Sequence, residues 1–319
     1  MESRSLSWRP CLSDTEVEEQ MTSQHGGKVG PLLTLVDDTG NSKFLFSILI
    51  IGDGYTKAEA VSVFVKEHCA TLIKSINKQF KFKNRKLKIY AQPYWSKESG
   101  ADIPTGCAHG FNVAHPKTYF DSGFSADCRL LAGTTTNTNS RIISHGRDAF
   151  RSVFPLSDSS ENFSAILVLV NTAHYGGAFS DEEHTDICWA ASSSCDSVGL
   201  ALHELGHSMD LADEYDYWDG CEVNDGGATG TVFYSNVSSS AAQTPWNLKP
   251  PYPTDLRPKL ECGQCDQRHE DGLEDGVGVF QGANHSPCGF FRPTRNCRMR
   301  NVAAPFCKVC RLHIRKFLT

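Results

Sequence analysis

The pentapeptide His203-Glu204-Leu205-Gly206-His207 constrains this chain more than any other stretch of it. Two histidines four residues apart on a helix project from one face, close enough to share a metal ion, and the glutamate after the first is rotated by about 100° toward the rim. A helix that carries chemistry on one side has to pack on another. Leu202, Leu205 and Met209 fall at i, i+3 and i+7, a core stripe distinct from the histidine face, and Asp196 stands where an N-cap residue is expected. The pattern implies hydrolysis by a metal-activated water, with Glu204 as the general base.

Helix geometry limits the third ligand. If the helix ran on past His207, Glu214 would lie on the histidine face but roughly 10 Å further along the axis, out of reach of the metal. If the helix stops near Met209 and the chain turns back, residue 213 takes the place of the last histidine in H-E-x-x-H-x-x-G-x-x-H, where an aspartate is a competent oxygen ligand. The expected sphere is therefore His203, His207 and Asp213 around one catalytic Zn2+, with a fourth position left for water. Where that pattern has its turn glycine, this chain has Asp210, one of the few other residue types that tolerate a left-handed backbone. Glu214 is expected to orient a metal ligand, and Tyr215 to serve as a packing ring or a hydrogen-bond donor. Two alternatives stay open. A glutamate on a later helix, from among Glu222, Glu261 and Glu270, could replace Asp213, or the isolated His174 and His184 could substitute as ligands. A different class of function, a zinc-stapled binding domain without catalysis, would have no use for Glu204.

Further segments carry a family resemblance. They are Ile51-Gly52-Asp53-Gly54-Tyr55-Thr56, Ser96-Lys97-Glu98-Ser99-Gly100-Ala101-Asp102, Val170-Asn171-Thr172 and Tyr175-Gly176-Gly177 ahead of the metal motif. Beyond it come Ser235-Asn236-Val237, Pro245-Trp246, the stretch 276–283, Phe291-Arg292-Pro293, Cys297-Arg298-Met299-Arg300 and Phe306-Cys307. With these the chain resembles the IgA-peptidase family of zinc metallopeptidases over most of its length. The resemblance implies a metal-dependent endopeptidase acting on polypeptides, with a fold like that of the metzincins. It also implies that Met299 sits in a tight turn beneath the metal histidines, and that the sheet's edge strand binds an extended substrate, with Tyr175-Gly176-Gly177 either lining that cleft or forming an ordinary turn.

Composition excludes other classes. A net charge of −6 over 319 residues argues against nucleic acid as a partner. No stretch approaches the roughly eighteen apolar residues of a membrane helix, so no membrane insertion is expected. Residues 1–30 are polar and read as a disordered extension without a secretory signal, whereas thirteen cysteines and the family resemblance point to a secreted, extracellular protein. Asn162, Asn236 and Asn284 each begin a glycosylation triplet, which matters only if the chain is exported.

The remaining pattern predicts an α/β fold, a mostly parallel twisted sheet packed by helices, over residues 31–215, followed by an irregular Cys-rich subdomain over 216–319. Strands are expected at 44–51, 87–91 and 165–170, the last buried on both faces. Helices are expected from a capping box at Thr56 and Glu59, with Val61, Val65, Leu72 and Ile76 inward, and over 141–154. Residues 93–116, rich in turn formers, are expected to loop over the surface. Cys188 and Cys195 could close a small loop. Cys262-x-x-Cys265 and Cys307-x-x-Cys310 are spaced wider than a zinc ribbon, with Cys288 and Cys297 between them as competing partners, so disulfides or free thiols are favoured over a second zinc site.

Overall fold

The computed structural model describes residues 29–38, 46–107, 112–128, 130–182, 185–216, 234–246, 248, 251–256 and 276–319. The expected extension over residues 1–30 falls almost wholly outside these, as do Cys262, Cys265, His184, Glu222, Glu261 and Glu270.

The centre is a six-stranded mixed sheet. Its strands are β1 (Leu33–Asp37), β2 (Phe46–Asp53), β3 (Leu87–Gln92), β6 (Ala165–Val170), β7 (Gly177–Glu182) and β8 (Thr185–Ala191), in the order β1-β3-β2-β6-β8-β7. The four inner strands run parallel, and antiparallel β1 and β7 close the two edges. The apolar run of β6 is buried at every position and that of β2 likewise, as a parallel strand covered on both faces requires. Two short strands, β4 (Ser122–Phe124) and β5 (Leu131–Gly133), pair beside it.

Among the described residues four helices complete the architecture. Helix α1 consists of Lys57–Glu59, a π-helical stretch Ala60–Cys69 and Ala70–Gln79. Its Thr56/Glu59 capping box is present as expected. The wider π turn alters the predicted stripe: Phe64, Val65, Cys69, Leu72 and Ile76 are buried and Val61 is only partly so, because the α-helical spacing fails there. Helix α2 is Thr138–Val153, α3 is Ser197–His207, and α4, Lys308–Leu318, is the C-terminal helix. Asp196 occupies the N-cap position of α3 but makes no side-chain capping bond.

Residues 93–116 do not simply skirt the surface. Tyr94, Ser96, Ala101, Ile103 and Cys107 are buried, and Asp53 at the end of β2 bonds both Ser96 and residues 118–122 just beyond the segment. That carboxylate accepts from Ser96 Oγ (3.3 Å), Thr118 Oγ1 (3.0 Å) and the backbone N–H groups of Tyr119 (2.8 Å), Phe120 (2.9 Å) and Ser122 (2.9 Å). Cys107 and Cys128 form a disulfide in the same region. Cys188 and Cys195 do not pair: Cys188 is buried and directed at the Glu204 carbonyl and the Ser208 hydroxyl, and Cys195 is exposed.

The C-terminal third carries β9 (Thr254–Asp255), β10 (Val279–Ala283) and β11 (Ser286–Arg292), in the order β11-β10-β9. Helix α4 then returns to the main core, where Val309, Ile314 and Leu318 join the residues of the large sheet. Among the described residues no helix is long and apolar enough to cross a membrane.

Candidate metal centre

Helix α3 packs on β8 with Leu202, Leu205 and Met209 buried in the core, so the expected stripe is the one used. The helix ends at His207. Asp210 adopts φ 58°, and the N–H groups of Leu211 and Asp210 donate to Gly206 O (3.1 Å) and His207 O (3.0 Å). That is a Schellman closure with an aspartate at its left-handed position, and it reverses the chain toward the histidine face.

The reversal delivers Asp213. Its Oδ1 lies 3.1 Å from His203 Nε2 and 3.3 Å from His207 Nε2, and ligand atoms of His203, Glu204 and His207 all lie within 4.8 Å of one another. Each imidazole is oriented from behind. His203 Nδ1 donates to Arg298 O (3.0 Å) and His207 Nδ1 to Leu211 O (2.8 Å). A carbonyl only accepts, so Nδ1 carries the hydrogen and Nε2 turns its lone pair toward the carboxylate. Asp213 Oδ1 is buried without a hydrogen-bond partner. Three electron-pair donors therefore converge where a cation belongs. Tetrahedral bonds of about 2.0–2.1 Å to nitrogen and oxygen place ligand atoms about 3.3 Å apart, so the donor set fits a small divalent ion.

The electrostatics agree with that fit. Burial works against a charged His207, but Asp213, Glu204 and the Leu211 carbonyl together outweigh it and raise its pKa to about 9. Burial opposes ionisation of Asp213 too, yet the facing His207 and the other two imidazoles around it hold its carboxyl well below the usual range. For Glu204 burial is the larger effect and raises the carboxyl, while His203 and His207 pull it back.

The sequence reading missed His285. Its Nε2 lies 3.1 Å from Asp213 Oδ2, the oxygen turned away from the two helix histidines. Ala283 pairs with Ser286, leaving Asn284 (φ 51°) and His285 (φ 59°) as the two left-handed residues of a tight β10–β11 hairpin. Asn284 N–H donates to Asp213 O (2.9 Å) and His285 N–H to Tyr215 O (3.0 Å), so the hairpin tip clamps residues 213–215. An asparagine opening a two-residue turn was the available signal; the triplet read instead as a glycosylation site. Asn236, in another such triplet, is fully buried, bonded to Ala212 and Glu214, and is not an acceptor site.

Tyr215 serves both expected roles. Its ring stacks on His203 and meets His285 edge-on at 4.7 Å, and its side chain hydrogen-bonds Asp213. Glu214 does not orient a metal ligand. Its side chain points away and receives bonds from Asn236 Nδ2 (3.0 Å) and Cys310 Sγ (3.2 Å). His174 packs edge-on against Phe124 and is not among the clustered donors.

Met299 is fully buried beneath the helix. A Cβ added at Gly206 would stand 2.7 Å from its sulfur, so the glycine between the two histidines is what lets the thioether approach. On the opposite side Gly177, first residue of edge strand β7, lies so near Glu204 that a Cβ there would meet Oε1 at 2.5 Å.

The model of the family described as IgA Peptidase M64 matches residues 34–248 and 265–318, most of the chain. The chain belongs to the IgA peptidase M64 family. Membership makes it a peptidase, with polypeptide as its substrate class, and the clustered histidines and carboxylates are its candidate metal ligands. Among curated proteins none matches the chain. Gly54, at φ 74°, approaches Gly100 so closely that a Cβ would meet its carbonyl oxygen at 1.9 Å, and Asn171 Nδ2 donates to Gly54 O (3.1 Å) and Ser99 Oγ (3.0 Å). Three of the segments that carry the family resemblance thus meet at the ends of β2 and β6.

Proposed function

We propose that this protein is a zinc-dependent endopeptidase of metzincin-like design, with His203, His207 and Asp213 as the metal ligands and Glu204 as the general base. The observation that carries the reading is the convergence of two oriented imidazoles and an otherwise unpartnered carboxylate oxygen, with a second carboxylate within the same few ångströms.

A zinc ion held there supplies Lewis acidity, to water and to the scissile carbonyl. The chain's residues do the rest. Glu204 accepts a proton from the attacking water and hands it to the departing amine, a task suited to a carboxylate whose basicity burial has increased. Gly177 leaves room beside Glu204 Oε1, and β7 is an edge strand along which an extended polypeptide can add as a further strand. Met299 supports the helix from below, His285 holds Asp213 by its second oxygen, and Tyr215 covers the ligands.

Metal analysis together with a peptide-library digest tests the reading. Glu204→Gln is expected to keep its metal and lose about 10²–10⁴-fold in kcat. Asp213→Ala is expected to lose metal as well as activity. A Glu204→Gln protein that cuts at the parental rate would refute the assignment, and a metal-loaded parent that cuts no peptide would leave a binding domain in its place.

A further inference from the structure

Below the histidine cluster lies a second group of potential ligands that the proposed reaction does not use. Cys297, Cys307, Cys310 and Glu214 are all buried, and their ligand atoms lie within 4.8 Å of one another. All three cysteines are free. Cys310 Sγ lies 3.6 Å from Cys297 Sγ and 3.2 Å from Glu214 Oε1. Cys307 N–H donates to Cys297 Sγ (3.2 Å) and Cys310 N–H to Cys307 Sγ (3.5 Å), the latter at the start of α4. The second oxygen of Glu214, a side chain with no exposed surface, has no hydrogen-bond partner.

We infer that these four side chains form a second, structural site for a thiophilic divalent cation such as zinc. Tetrahedral bonds of about 2.3 Å to sulfur and about 2.0–2.2 Å to oxygen put sulfurs about 3.8 Å apart and sulfur and oxygen about 3.5 Å apart, close to the separations present here. Three thiols are one too many for a disulfide, and a fully buried carboxylate with one unbonded oxygen stands among them. A bound cation accounts for both: the thiols release their protons, and the backbone N–H groups already aimed at sulfur support the thiolates.

The site would brace the catalytic one. Glu214 directly follows Asp213, and Cys297 directly precedes Arg298, whose carbonyl orients His203. One ion would thus tie together the two segments that present a metal ligand and its support, and anchor both to α4. The inference stands apart from peptidase activity.

Elemental analysis of the full chain and of two double variants tests it. The parent is expected to carry two zinc ions, Cys297→Ser/Cys310→Ser one, and His203→Ala/His207→Ala one. Cobalt substitution of the parent and of the histidine variant is expected to give an intense sulfur-to-cobalt charge-transfer band, a readout that does not need the cysteine variants to fold. A parent with a single ion lost only with the histidines, a cobalt protein without that band, or a Cys297–Cys310 disulfide mapped in metal-loaded protein would each overturn the second site. Loss of activity with both ions in place would overturn only the proposed peptidase reading.

Discussion

At the scale of single residues, two positions, one in the last turn of α3 and one in the turn beyond it, set the geometry of the candidate site. Asp210 holds φ 58° to reverse the chain, a conformation that costs an L-residue roughly 1–2 kcal/mol. Asp210→Gly is therefore expected to raise stability by up to about 1 kcal/mol, seen as a higher urea midpoint, and Asp210→Val to lower it while reducing metal affinity, because Asp213 depends on the reversal. Gly206 presents its bare Cα to the Met299 sulfur. Gly206→Ala is expected to destabilise by about 1–3 kcal/mol through overpacking, with Gly206→Ala/Met299→Ala recovering part of the loss; additive effects of the two changes would rule out the contact as the cause. His285 was not legible at this scale. It is eighty or so positions from the helix motif, and nothing in its immediate sequence distinguishes it from a turn residue.

At the scale of elements, the pattern of apolar residues was sufficient for β2, β3, β6, α2 and α3, whose faces are set by local periodicity. It failed where tertiary bonding overrides local preference. The turn-rich segment 93–116 is drawn inward at both ends, since Asp53 collects the Ser96 hydroxyl near its start and, just past its end, the Thr118 hydroxyl and the backbone N–H groups of Tyr119, Phe120 and Ser122. Asp53→Ala is expected to cost about 3–5 kcal/mol, well beyond a single hydrogen bond, because the buried N–H groups of Phe120 and Ser122 lose their acceptor together with the bonds from Tyr119 and two hydroxyls. A thermal shift of ordinary surface size would contradict this. The π-helical stretch of α1 is a similar case: no spacing rule predicts it, and it brings Phe64 and Cys69 into the core in place of Val61.

At the scale of the whole molecule, the edge of the sheet beside the candidate metal centre carries uncompensated acidity. Asp186 on β8 has its pKa raised to about 6, mainly by burial and then by Asp181 and Asp210, against the opposing pull of Ser208 and His207. A carboxyl raised in the folded state binds its proton more tightly there than in the unfolded chain. Its charge is tolerated less well in the folded state, so its contribution is neutral below about pH 4 and grows unfavourable as pH rises through about 6. Asp186→Asn is expected to stabilise at pH 7.5 by about 1 kcal/mol, a value discounted because the group is only partly buried, and to have no effect at pH 4. Denaturant titrations at the two pH values check the sign. The sequence by itself determined the helix that carries His203 and His207, the turn beyond it and strands β2, β3 and β6, because each depends on spacings of a few residues. Only the tertiary structure decided that His285 reaches Asp213, that Glu214 faces three cysteines, and that Arg298 orients His203. Those contacts join segments about seventy to ninety-five positions apart, and no local period records which distant loops a folded chain brings together.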